Sequence, residues 1–176
     1  QQQQQQQQDE EEAGSVSGSG GSPPVKLSKG LPPASFDRIL LDPPCSGLGQ
    51  RPRIHLEAEL SKGAPLAALH AASSYQRALI RTAVILLKPG GVMTYSTCTV
   101  NPEENEGNVA FLLQNHPEMV LTPCPVASSL GGPGLACCGL SEEQAAMVQR
   151  FNPSDPGDTI GFFVARFRKK EAEEML

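Results

Sequence analysis

Phe36-Asp-Arg-Ile-Leu-Leu-Asp-Pro-Pro-Cys-Ser-Gly-Leu-Gly49 is the stretch whose reading decides the fold of this chain. The apolar run Ile39 to Leu41 reads as the end of a β-strand, and it meets an acid at Asp42. Pro43 and Pro44 then stop the strand, because proline offers no amide hydrogen to a ladder. Cys45-Ser-Gly follows in the turn. An apolar strand that runs into a Pro/Gly-rich turn bearing an acid and a thiol is how α/β enzymes present reactive groups. Taken alone, the stretch reads equally well as a buried strand followed by an ordinary turn with a packed cysteine.

Downstream, residues 50 to 66 are polar and mixed and read as a loop, with a short helix at His55 to Ser61. Leu66 to Leu87 carries Leu79, Ile80, Ala83, Val84 and Leu87 at helical spacing. Lys88-Pro-Gly-Gly91 closes that helix with a base, then a proline and glycines that cannot continue it. Val92 to Ser96 is a second strand and runs into Thr97-Cys98-Thr99. Asn101-Pro-Glu-Glu opens a helix reaching about Asn115, since asparagine caps, proline suits the first turn and acids favour the positive helix end. Met119 to Leu121 reads as a short strand and residues 122 to 140 as a loop. Ser141 with its acids caps a helix to about Gln149. Thr159 to Phe167 is a final strand. Strands alternating with helices imply an α/β architecture, a mainly parallel sheet with right-handed crossovers.

Upstream, residues 1–34 open with eight glutamines, an acidic run and a Gly/Ser-rich stretch. That composition buries too little apolar surface to offset ordering entropy and reads as a disordered tail. The expected division is a tail over 1–34, a domain over 35–170 and a short tail over 171–176. The net charge of −5 owes four negative charges to Asp9, Glu10, Glu11 and Glu12, and the remainder is close to neutral. No basic field advertises nucleic acid. No apolar run is long enough to span a membrane, and no signal peptide pattern opens the chain. The five cysteines are odd in number and form no C-x-x-C pair. They therefore read as reduced thiols rather than as a disulfide framework or a metal site. Reduced thiols point to an intracellular location, without distinguishing nucleus from cytoplasm.

In a parallel sheet, sites form outside the carboxyl ends of the strands. Cys45 and Cys98 each lie just past such an end, on consecutive strands, and Asp42 shares that edge. Two thiols and a carboxylate converging there make a reactive site. Cys98 also precedes the expected amino end of a helix, which favours the thiolate and makes Cys98 the better nucleophile candidate. Cys124, Cys137 and Cys138, in a Gly-rich loop, read as packed or merely exposed.

Asp42-Pro-Pro-Cys-Ser-Gly, Leu87-Lys-Pro-Gly-Gly-Val, Tyr95-Ser-Thr-Cys-Thr and Pro102-Glu-Glu-Asn-Glu resemble, in that order, the motifs of the Sun-domain (RsmB-like) RNA cytosine-5 methyltransferases. Arg150-Phe-Asn-Pro and Gly161-Phe-Phe-Val-Ala are similar to that family's closing segment, so the resemblance covers about residues 36 to 168. It implies part of a Rossmann-like class I methyltransferase sheet, mainly parallel with an antiparallel closing strand. It also implies methyl transfer from S-adenosylmethionine to carbon 5 of cytosine in RNA, tRNA or rRNA. Cys98 would be the nucleophile that adds to carbon 6, and Cys45 would assist collapse of the adduct. Asp42 would lie by the methyl donor and the base, and Pro43 and Pro44 would fix the turn against the base. Such chemistry needs an unstacked base.

The family's Gly-rich cofactor loop belongs before Phe36, and residues 1–35 do not show it after an apolar strand. The chain thus looks like the carboxyl-terminal half of the catalytic domain, and half a sheet should expose an edge and an apolar face. Two rivals stay open: a non-catalytic interaction module that keeps the half-fold, and a DNA cytosine-5 enzyme, in which the nucleophile would sit in Pro44-Cys45.

Overall fold

The computed structural model describes residues 30–50, 66–124, 131–154, 157 and 159–175. The expected helix at 55–61 and most of the expected amino-terminal tail lie outside them. Strand β1 (Phe36–Leu41) leads to helix α1 (Leu66–Leu86) and strand β2 (Leu87–Thr97). Helix α2 (Glu106–Asn115), β3 (Met119–Thr122), the single-turn α3 (Glu142–Ala145), β4 (Gln149–Phe151) and β5 (Phe162–Lys169) follow. A 3-10 turn over Ala172–Met175 comes last.

The sheet has the order β1-β2-β5-β3, with β4 also paired to β5. β1 and β2 are parallel, whereas β5 is antiparallel to β2, β3 and β4. Four strands therefore share one direction and the closing strand alone opposes them, as expected. α1 packs on β1, β2 and α2, and α2 packs on β3. The helices cover a row in register across the sheet: Ile39 beside Met93, and Met93 beside Phe167, which faces Leu121. Met93, Tyr95, Phe163, Ala165 and Phe167 are buried there with Ile80, Val84, Leu87, Val109 and Leu112. The opposite face carries Leu40, Thr94 and Arg166 in register and is only partly covered by the described residues.

Three boundaries differ from the sequence reading, each for a local reason. Lys88-Pro-Gly-Gly91 lies inside β2 rather than closing α1. It forms an irregularity between the pairs Phe36–Leu87 and Arg38–Val92, with Gly90 at φ 72°. A left-handed residue is one that glycine adopts without strain, and it lets the ladder resume. Asn101 does not open α2; it opens a turn in which its side-chain oxygen accepts from the Glu103 amide (3.2 Å). The helix itself begins five residues on, at Glu106. Ser141 does cap α3, through a reciprocal box with Gln144, but that helix stops at Ala145. Arg150 then exchanges backbone bonds with Gly132 (2.9 and 2.8 Å) and joins β5 as β4, a strand that the sequence reading missed.

Candidate active site

The parallel pairing of β1 with β2 sets Leu41 beside Tyr95, so the turns after these two strands leave the sheet at the same edge. The Cys45 and Cys98 sulfurs meet there at 3.3 Å, both half-buried. The Cys98 turn is tied to the Cys45 turn through the Gly49 amide, which donates to the Cys98 carbonyl (3.1 Å). Gly49 also accepts from the Gly161 amide (2.8 Å). A Cβ on Gly49 would lie 2.1 Å from the Gly161 carbonyl oxygen, so only a bare backbone fits between the turn and the entrance to β5. The Gln50 side-chain amide donates to the Cys98 sulfur (3.3 Å).

Asp42 is exposed just beyond β1, and one of its oxygens accepts from the Ser96 hydroxyl (3.2 Å). Its other oxygen has no partner among the described residues, which leaves an open acceptor at the strand end. Pro43 is buried and Pro44 exposed; the Pro44 carbonyl accepts from the Gln76 side-chain amide of α1 (3.0 Å). The structure thus places Asp42, Pro43, Pro44, Cys45 and Cys98 at one edge. Cys124 and Cys137 are half-buried and Cys138 is exposed, all as free thiols.

Burial pushes the Cys45 thiol up to about 11, with the Cys98 contact adding to the shift. Cys45 therefore keeps its proton at neutral pH, which makes it a donor toward its neighbour.

Beneath the two turns lies a polar core that sequence reading did not single out. Burial pushes the Tyr95 phenol up, so it remains a donor, and it hydrogen-bonds the Glu104 carbonyl (2.7 Å). The Asn108 amide of α2 donates to that phenol oxygen (2.9 Å) and to Gln76 Oε1 (2.8 Å). Arg150 reaches from β4 so that its Nη1 donates to both buried Glu106 oxygens (2.9 and 3.0 Å), and its other arm donates to the Val100 carbonyl. Apolar periodicity cannot find such residues, because these polar side chains occupy core positions. The one usable signal is the Pro102-Glu-Glu-Asn-Glu run, in which Glu104, Asn105 and Glu106 are all buried.

A model of the 16S rRNA methyltransferase RsmB/F family matches residues 11–168. The chain belongs to that family. It is 43% identical over 150 residues to the rRNA (cytosine-C(5))-methyltransferase NOP2C of Arabidopsis thaliana, covering 80% of this chain and 24% of that protein. It is 40% identical over 171 residues to the tRNA (cytosine(72)-C(5))-methyltransferase NSUN6 of Homo sapiens, covering 82% of this chain and 35% of that one. The crystal structure of NSun6 from Pyrococcus horikoshii with SFG superposes with a TM-score of 0.62 at 40% identity, over 77% of this chain and 30% of that chain. The chain spans about a quarter to a third of the length of these relatives. The RsmB/F match takes in both cysteine turns and the Glu104–Glu106 run, and it begins ahead of the boundary that composition suggests near residue 34.

Proposed function

We propose that this chain carries the thiol half of an S-adenosylmethionine-dependent RNA cytosine-5 methyltransferase acting on tRNA or rRNA inside the cell. The observation that carries the reading is the pair of sulfurs 3.3 Å apart at the ends of adjacent parallel strands. Carbon 5 of cytosine is a weak nucleophile until a thiolate adds to carbon 6. Cys98, in the turn just past the end of β2, supplies that thiolate. Bond formation at carbon 6 pushes electron density to carbon 5, which then takes the methyl group. S-adenosylmethionine supplies that methyl group as an electrophile when bound. Of the residues present, Asp42 fits it, as a carboxylate with an open oxygen at the same sheet edge as the two thiols.

Loss of the carbon 5 proton to water and departure of the Cys98 sulfur then restore the aromatic ring. Cys45 stays protonated at neutral pH and lies against the departing sulfur, so it donates to that sulfur as negative charge returns to it. Among the described residues no group of three or more His, Cys, Asp or Glu side chains is placed to hold a metal ion. No described helix is long and apolar enough to cross a membrane. The names of the relatives support RNA over DNA.

The test uses the full-length protein that contains this chain. Cys98→Ala abolishes covalent trapping on an RNA carrying 5-fluorocytosine, read as an adduct that survives denaturing electrophoresis. Trapping that persists in Cys98→Ala, or that is lost instead in Cys45→Ala, overturns the assignment. With unmodified cytosine RNA, Cys45→Ala makes adducts accumulate because their collapse is slowed.

A further inference from the structure

Each of the two thiols sits between two pinned neighbours, and the pins come from consecutive residues. On the Cys45 side, Glu104 Oε2 accepts from the Ser46 amide (2.9 Å) and Glu104 Oε1 from the Ser46 hydroxyl (2.6 Å). Gln76 Nε2 bridges the carboxylate (2.8 Å) to the Pro44 carbonyl (3.0 Å), so the groups before and after Cys45 are both tied to Glu104, one directly and one through Gln76. On the Cys98 side, Asn105 Oδ1 accepts from the Thr97 hydroxyl (2.5 Å), and Asn105 Nδ2 donates to the Thr99 carbonyl (3.0 Å). The residues before and after Cys98 are thus held by Asn105.

Glu104 and Asn105 are both fully buried. No arginine, lysine or histidine pairs with the Glu104 carboxylate among the described residues; Asn101 Nδ2 completes its shell at 3.1 Å. Burying a carboxylate without a cation is costly, and four neutral donors are the means by which it is held. Hydrogen bonds to an ionised acceptor are also stronger and shorter than those to a neutral one, which suits a group whose task is to fix a turn.

We propose that Glu104 and Asn105 are positioning residues that divide the reaction between them. Glu104 aims Cys45 for adduct collapse, and Asn105 aims Cys98 for adduct formation. The assignment rests on the reading that Cys98 forms the adduct and Cys45 helps to dissolve it. Both are fully buried, so each acts through the turn that it holds. A displacement of one thiol by about an ångström costs on the order of a hundredfold in the step it serves, so the two clamps separate in their kinetic signatures.

The experiment again uses the full-length protein, with adduct formation on 5-fluorocytosine RNA followed in single turnover. Adduct persistence on unmodified cytosine RNA is followed in parallel. Asn105→Ala slows formation about tenfold or more without a build-up of adduct. Glu104→Ala leaves formation within about threefold and makes adduct accumulate, as Cys45→Ala does. If either alanine variant fails to fold, as judged by its melting transition, Glu104→Gln and Asn105→Asp carry the comparison. Each keeps the shape and alters one set of bonds, and the same split is expected at smaller amplitude. A parallel loss of both steps in both variants overturns the division of labour. Cys98→Ala is the control that separates the two levels. If it still traps, the functional reading has failed; if it does not, and the clamps act in parallel, this inference alone has failed.

Discussion

At the scale of single residues, the chemistry depends on two like side chains in unlike surroundings. Cys45 is lifted by burial and by its contact with Cys98, and it ionises only near pH 11. Iodoacetamide should therefore modify Cys45 slowly at pH 7.5 and faster as pH rises toward about 11, measured by mass spectrometry of the labelled peptide. A labelling rate that reaches half its plateau near pH 9 would mean an ordinary exposed thiol. The sign of the linked stability follows. A thiol whose folded pKa lies above its unfolded value of 9.0 contributes stability in full below pH 9, and loses it as pH rises through about 11. Urea midpoints should fall over that window in the wild type and fall less in Cys45→Ser. Gly49 marks a second single-residue constraint. Gly49→Ala drives a methyl group into the Gly161 backbone, so the Cys45 turn must move off β5. Trapping by Cys98 should weaken in that variant together with its melting temperature.

At the scale of elements, Arg150 locks β4 to the start of α2. Its Nη1 reaches both oxygens of a fully buried Glu106, and its side chain is itself 7% exposed. Removing one partner of such a pair leaves the other charge stranded, so Arg150→Met should cost about 3–5 kcal/mol in urea denaturation. Glu106→Gln, which leaves a neutral acceptor for the same arm, should cost less. A loss of under about 1 kcal/mol for Arg150→Met would show that this ion pair is not holding β4. These polar locks are also where sequence reading stopped. The apolar period of α1 and the strand endings at Asp42 and Thr97 were legible, because alternation and proline act over a few residues. The meeting of Cys45 with Cys98 was legible too, since consecutive parallel strands bring their carboxyl ends together. The start of α2 lies beyond the expected one, because Asn101 opens a turn with local signals that a helix cap shares. β4 was missed because three residues, one of them a buried arginine, carry no strand pattern of their own. The roles of Glu104, Asn105 and Glu106 follow from partners that no local pattern reveals.

At the scale of the whole molecule, among the described residues the sheet has one face covered by helices and one only partly covered. β1 is an end strand among the described residues, and its outer face carries Leu40 at 74% exposure. Leu31 and Phe36 are also exposed, and with Leu40, Leu79 and Leu86 they line one apolar groove along that edge. A parallel-type strand is normally buried on both faces, so a free edge with a bare leucine invites a further strand or another molecule. The helix-covered face is complete by contrast, with Met93, Phe163 and Ala165 sealed beneath α1 and α2. This asymmetry predicts that residues 1–176 expressed alone will self-associate through β1. Leu40→Lys places a charge on the open edge, away from the core and from both thiols. It should raise the monomer fraction in size-exclusion chromatography with light scattering while leaving the melting temperature nearly unchanged. A chain that is already monomeric, with a cooperative transition and no response to Leu40→Lys, would mean that the groove is covered by residues outside the described ones. A fall in solubility would mean that Leu40 packs against such a segment, and hydrogen exchange at the β1 amides would then show protection on both sides of the strand.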